Sequence, residues 1–139
     1  MARKQVKELL QDVPLFSQCS KKELALFSRL TTTVSFPAGK VAAQQGSFGY
    51  EFIVIVEGKA TVSIDGRTIA TLGPGDFFGE VALLDRGPRT ATVTADTDLV
   101  LEAMSSRDFT TMLLDVPGVT RNILKGVAAR LRTADERLA

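Results

Sequence analysis

Histidine is absent from the 139 residues. Without an imidazole the chain builds no Ser-His or Cys-His nucleophile pair, no histidine general base and few of the usual zinc or iron sites. Routes through Ser-Lys pairs or paired carboxylates stay open in principle, but no residues are spaced to suggest one. A single cysteine, Cys19, excludes an internal disulfide and fits a reducing compartment. Net charge is only +1, which gives no electrostatic footprint for nucleic acid or a membrane surface. No apolar run approaches the roughly 20 residues of a membrane span, and the Met-Ala-Arg-Lys start lacks the apolar core of a signal peptide. These absences lead us to expect a cytoplasmic, non-catalytic protein that holds neither metal nor cofactor and contacts neither membrane nor nucleic acid.

What is present is an ordinary globular composition, 45% hydrophobic and 24% charged, in a chain long enough for one core. Val6, Leu9 and Leu10 recur at helical spacing within residues 2–11, before Pro14. Ser20 followed by Glu23 reads as a capping box opening a helix to about Leu30, with Leu24, Phe27 and Leu30 on its apolar face. From Thr31 the period becomes two. Strands are expected at Thr33–Phe36, Lys40–Ala43, Phe52–Val56, Lys59–Ile64, Arg67–Leu72, Thr90–Thr94 and Leu99–Met104. The β-branched run Phe52–Val56 suits a strand buried on both faces, and Asp65-Gly66 is a two-residue hairpin signal. Ser105 with Asp108 starts a helix through Leu114, and Pro117 starts another. Val119, Ile123, Leu124, Val127, Ala128 and Leu131 keep one face of that last helix apolar. The expected fold is α+β: a jelly-roll of about eight short antiparallel strands between N-terminal helices and a C-terminal helix pair. It forms a single domain over 1–139, with helices at 1–30, the β-roll at 31–104 and C-terminal helices at 105–139.

The most informative stretch is 77–93, Phe-Phe-Gly-Glu-Val-Ala-Leu-Leu-Asp-Arg-Gly-Pro-Arg-Thr-Ala-Thr-Val. Gly79-Glu80 opens onto Val81–Leu84, one turn of good helix formers whose first N–H groups have no intrahelical partner and can bind an anion. Arg89 follows Gly79 by ten residues and supplies a planar, permanently charged fork suited to phosphate. Glu80 is left over for a hydroxyl. Singly, Glu80 reads as an exposed carboxylate and Arg89 as a surface arginine; their joint spacing points to a phosphate cradle. Gly73, Gly75 and Asp76 read as turn chemistry.

In order and spacing, Gly-Asp-Phe-Phe-Gly-Glu-Val-Ala-Leu-Leu and then Pro-Arg-Thr-Ala-Thr-Val resemble the phosphate-binding cassette of cyclic nucleotide-binding domains. These are the cAMP and cGMP sensor modules of catabolite-activator-type regulators, cyclic-nucleotide-dependent kinases and gated channels. Gly39, the Gln45-Gly46 turn, the Ile53–Val56 strand and Gly58 fall where that family places turns and strands, so the resemblance covers roughly 12–132. It implies a ligand, cAMP or cGMP, held by Phe78, Gly79, Glu80, Val81, Ala82, Arg89, Thr90 and Ala91. Glu80 would accept from the ribose 2′-hydroxyl, the Val81 and Ala82 N–H groups would donate to the cyclic phosphate, and Arg89 would pair with its exocyclic oxygens. Thr90 permits cGMP without demanding it, and cAMP is favoured. Arg130 lies where some channel-type members place a base-contacting arginine, and the helix from Pro117 would serve as a lid or as the contact to a homodimer partner or effector domain. Ser47 departs from the Asp or Glu common in the family at that turn, without removing a ligand group. The implied function is a regulatory sensor. The alternatives are the sensor portion of a catabolite-activator-type transcription regulator, whose helix-turn-helix these 139 residues do not contain, and a ligand-free interaction module.

Overall fold

The computed structural model describes residues 14–16, 19–79, 83–84 and 86–138; the helix expected over 2–11 lies outside them. After a short 3-10 turn, Pro14–Phe16, comes α1, Lys21–Leu30. Its start is the capping box the sequence suggests. The Glu23 N–H donates to Ser20 Oγ at 3.1 Å and the Ser20 N–H to Glu23 Oε1 at 3.2 Å, so two donors orphaned by the helix start are satisfied. Eight strands follow: β1 Thr32–Phe36, β2 Val41–Ala43, β3 Glu51–Glu57, β4 Ala60–Ile64, β5 Arg67–Leu72, β6 Phe77–Phe78, β7 Thr92–Ala95 and β8 Leu99–Ser105. The chain ends in α2, Ser106–Asp115, capped by Ser105 Oγ accepting from the Asp108 N–H, and α3, Pro117–Leu138.

The strands form two antiparallel four-stranded sheets, ordered β1-β8-β3-β6 and β2-β7-β4-β5. The α+β jelly-roll expectation is met in class and element order. β3 sits in the middle of the first sheet and is buried from Phe52 to Val56. Its side chains alternate between two cores. Ile53 and Ile55 meet Val93, Leu99 and Leu101 between the sheets, whereas Phe52, Val54 and Val56 join Leu24, Phe27, Phe109, Met112 and Val119 beneath the helices. Alternation in a strand covered on both sides leaves no polar position, which is why its sequence reads as a continuous apolar run. The hairpin at Asp65-Gly66 is a two-residue turn with both residues at positive φ, 52° and 78°.

Two differences from the sequence reading have physical causes. Phe77–Phe78 is a short strand, paired Val54↔Phe77 and Ile53↔Phe78, where the sequence suggests only the start of the cradle. Two residues are too few to show a period. The apolar face expected along α3 is divided. Val119 and Ile123 are buried at 0% and 2% exposure, but Leu124 and Leu131 are 65% and 62% exposed. Beyond Ile123 only Val127 still packs against the core under the first sheet, and Ala129, Arg130, Thr133 and Ala134 face the roll instead. Among the described residues no helix is long and apolar enough to cross a membrane.

Cys19 is half-buried beside α1. Burial first, and then the Glu23 carboxylate, pushes its thiol up from 9.0 to about 11. The unfolded chain therefore loses this proton at lower pH than the folded chain, so stability is intact below 9.0 and is lost as pH climbs toward 11. We expect the melting temperature to fall more steeply over that interval in the wild type than in Cys19→Ala. At about pH 8, iodoacetamide should label the native thiol far more slowly than the urea-unfolded one; equal rates would contradict the assignment.

Candidate functional site

The site is assembled where β6 ends and the chain turns toward β7. Gly79 has φ 95°, a conformation that disfavours any side chain, and a Cβ there would collide with the Glu51 carbonyl oxygen. The same Cβ would stand 3.4 Å from Arg89 Nη1, which places the cation directly beside the Gly79 backbone. Glu80, Val81 and Ala82, expected to hold the sugar hydroxyl and the phosphate, lie outside the described residues. Leu83 and Leu84, which follow them, are helical.

Arg89 is fixed by its backbone and given room by glycine. The Gly46 N–H donates to the Arg89 carbonyl and the Arg89 N–H to the Ser47 carbonyl, each at 2.8 Å. This two-way pairing holds the segment against the turn before β3 as firmly as a sheet ladder would. A Cβ on Gly49 would fall within the guanidinium, so Gly49 is the floor on which Arg89 lies. Burial lowers the Arg89 pKa from its ordinary value, and the Glu51 carboxylate opposes the shift. An arginine so far above neutral stays charged. It is a partly desolvated cation, more strongly attractive to an anion than one in bulk water.

Arg89 closes one end of a cavity of about 510 Å³. Phe78, Gly79, Thr90 and Ala91 line it at that end, with Val62, Ile64 and Leu72 of β4 and β5 as an apolar wall. Ala129, Arg130, Thr133 and Ala134 of α3 form its cover. α3 comes this close because residue 126 is glycine; a Cβ there would be 2.8 Å from the Phe77 ring. Arg130 fastens the contact. Its guanidinium lies 4.6 Å from the centroid of the Phe77 ring, and Nη2 donates to the Phe77 carbonyl. Asp76 keeps to the turn, its carboxylate accepting from the Gly73 N–H at 2.8 Å.

Of the residues expected at the site, the structure gathers Phe78, Gly79, Arg89, Thr90, Ala91 and Arg130 around one cavity. Sequence reasoning did not single out Gly49, the Val62–Ile64 wall, Gly126 or Thr133. Val62 and Ile64 carried a signal in the alternation of β4, and Gly126, Arg130 and Thr133 carried one in their helical spacing. Gly49 carried none, because its role is to leave space for a residue forty positions away.

Comparison with known proteins identifies the family. The profile of the cyclic nucleotide-binding domain matches residues 33–115, more than half of the chain. The cyclic AMP receptor protein of Thermus thermophilus is 35% identical over 127 residues, covering 88% of this chain and 59% of that protein. A cAMP-dependent protein kinase regulatory subunit of Mycosarcoma maydis is 38% identical over 121 residues, 81% of this chain and 23% of that protein. The crystal structure of Thermus thermophilus catabolite activator protein superposes with a TM-score of 0.81 at 35% identity, covering 90% of this chain and 61% of that one. The chain thus spans less than two thirds of the length of each of these relatives.

Gly49 gives a steric test of the Arg89 bed, because its backbone lies outside the left-handed region and tolerates a side chain. Gly49→Ala is expected to displace the Arg89 guanidinium, visible as a shifted Nε–H resonance, while moving the melting temperature by less than about 3 °C. An unmoved resonance would show that Arg89 does not lie on Gly49.

Proposed function

We propose that this chain, which belongs to the cyclic nucleotide-binding domain family, is a sensor that binds cAMP and transmits its occupancy through α3. The observation that carries the reading is the cavity itself. A charged guanidinium, an apolar wall and a covering stretch of helix line one space, the set of surfaces that the phosphate, sugar and base of a nucleotide would need. Its volume lies within the range of about 300–1,000 Å³ usual for small-molecule sites.

In this reading Arg89 pairs with the exocyclic phosphate oxygens, and the Val81 and Ala82 N–H groups donate to the same phosphate. Glu80 accepts from the ribose 2′-hydroxyl, and Phe78, Gly79 and Ala91 shape the surface around the sugar. The Thr90 hydroxyl stands beside the phosphate end and admits cGMP as the alternative ligand. Arg130 is placed at the base side, where leaving or keeping Phe77 links occupancy to the position of α3. The role is regulatory rather than catalytic: the phosphate is held by donors, and no histidine is available to assist its cleavage. The signal leaves through α3 toward an effector domain or a second copy, as in a catabolite-activator-type regulator or a kinase regulatory subunit.

Calorimetric titration with cAMP and cGMP tests the assignment, and absence of binding to both would favour the ligand-free interaction module. Arg89→Ala is expected to weaken binding at least about a hundredfold, since it removes a charge-assisted pair from a partly desolvated site. Arg89→Lys should weaken it as well, because an ammonium cannot reproduce the fork. Unchanged affinity in Arg89→Ala would remove that residue from the site. If α3 is the output, hydrogen exchange of its amides from 126 to 134 slows when cAMP is added. Identical exchange with and without ligand would rule out the lid.

A further inference from the structure

A set of hydrogen bonds away from the cavity ties its Arg89 side to its β4–β5 wall through one residue. Gln45 Nε2 donates to Asp65 Oδ1 at 3.0 Å, and the Asp65 N–H donates back to Gln45 Oε1 at 2.9 Å. The amide thus closes a two-point ring on the tip of the β4–β5 hairpin, the hairpin that supplies the apolar wall. The Gln45 N–H donates to Thr92 Oγ1 at 3.0 Å, three residues beyond Arg89. The next two residues, Gly46 and Ser47, are those whose backbone pairs with Arg89. Gln45 therefore stands where the hairpin tip, the start of β7 and the strap holding Arg89 meet. Neither Gln45 nor Asp65 lines the cavity.

We propose that Gln45, held by Asp65, is a positioning residue that sets the distance between Arg89 and the β4–β5 wall. It thereby tunes affinity for a ligand that must reach both. The inference rests on the reading of Arg89 as the phosphate-holding group. The physical reason is pre-organisation. A guanidinium fixed before binding loses less freedom on pairing with an anion, and a strap anchored at one end only would let it move. The two-point contact suits this purpose, since an amide facing both a carboxylate and an N–H fixes orientation as well as distance. The positive φ of Asp65 keeps its N–H turned toward Gln45.

The test uses the whole chain with three variants and cAMP as probe. Gln45→Ala removes both bonds and is expected to weaken binding about tenfold. Asp65→Gly keeps a residue suited to φ 52° and removes only the carboxylate, so a loss of about threefold is expected. Asp65→Asn retains the acceptor for Gln45 Nε2 and suits the turn, so affinity should return to within about twofold of wild type. In an Arg89→Ala background, Gln45→Ala should change affinity by less than about twofold, because a residue acting through Arg89 has nothing left to position. The Arg89 Nε–H resonance reads the same effect without ligand. It should shift in Gln45→Ala and Asp65→Gly but not in Asp65→Asn. Wild-type affinity and an unmoved resonance in Gln45→Ala would overturn the proposal, as would a loss that persists in full without Arg89. If the wild type binds neither cyclic nucleotide, the proposed function fails. The resonance then still decides whether Gln45 positions Arg89.

Discussion

A guanidinium held partly out of water must be given a place that the rest of the chain does not occupy, and much of this structure answers that requirement. Arg89 lies on Gly49, passes beside the Gly79 backbone and is pinned by two backbone hydrogen bonds to Gly46 and Ser47. These contacts come from two distant parts of the chain. The turn before β3 supplies the strap and the floor, the end of β6 supplies the close approach, and the Gln45–Asp65 pair connects the strap to the β4–β5 hairpin. Desolvation lowers the pKa of this cation and makes it receptive to an anion. The cost is borne by the scaffold, whose stability comes from elsewhere.

β3 is the strand that joins the two cores of that scaffold. Burial on both faces lets one strand serve two cores, with Ile53 and Ile55 closing the space between the sheets and Phe52, Val54 and Val56 anchoring the helices. A Leu- or Phe-sized side chain contributes about 1.5–3 kcal/mol on burial, so a strand with five consecutive buried residues, Phe52 to Val56, is a firm base. β6 pairs with that strand through only two residues, yet this fixes the Phe77–Gly79 segment against a strand buried over five consecutive residues.

Helix α3 uses the same base. Phe77 of β6 contacts Phe52 at a ring-centroid distance of 5.7 Å, and Phe52 contacts Phe109 of α2 at 4.8 Å. Arg130 lies over the other end of this row, and Gly126 allows the helix to seat on the ring. A change in how Arg130 meets Phe77 is therefore felt at the residue that precedes the cavity-lining Phe78 and Gly79. Under the proposed function this row of packed rings is the route between ligand and helix.

The local sequence by itself determined the capping box at Ser20, the serine cap at Ser105, the Asp65-Gly66 hairpin and the two-sided burial of β3, and it singled out Gly79 and Arg89, which the fold brings to one cavity. Each of these rests on chemistry within a few residues: a hydroxyl and the N–H three positions on, a turn needing positive φ, an unbroken apolar run, a glycine next to an acid. Tertiary structure alone decided that Gly49 is the bed for Arg89, that Phe77–Phe78 is a strand, that α3 turns its Gly126–Arg130 side to the roll while Leu124 and Leu131 face solvent, and that Gln45 reaches Asp65. All of these depend on which distant segments become neighbours. A glycine that makes room, or an amide that spans two loops, leaves no periodic or local trace, because the partner that gives it meaning is brought to it only when the two sheets close.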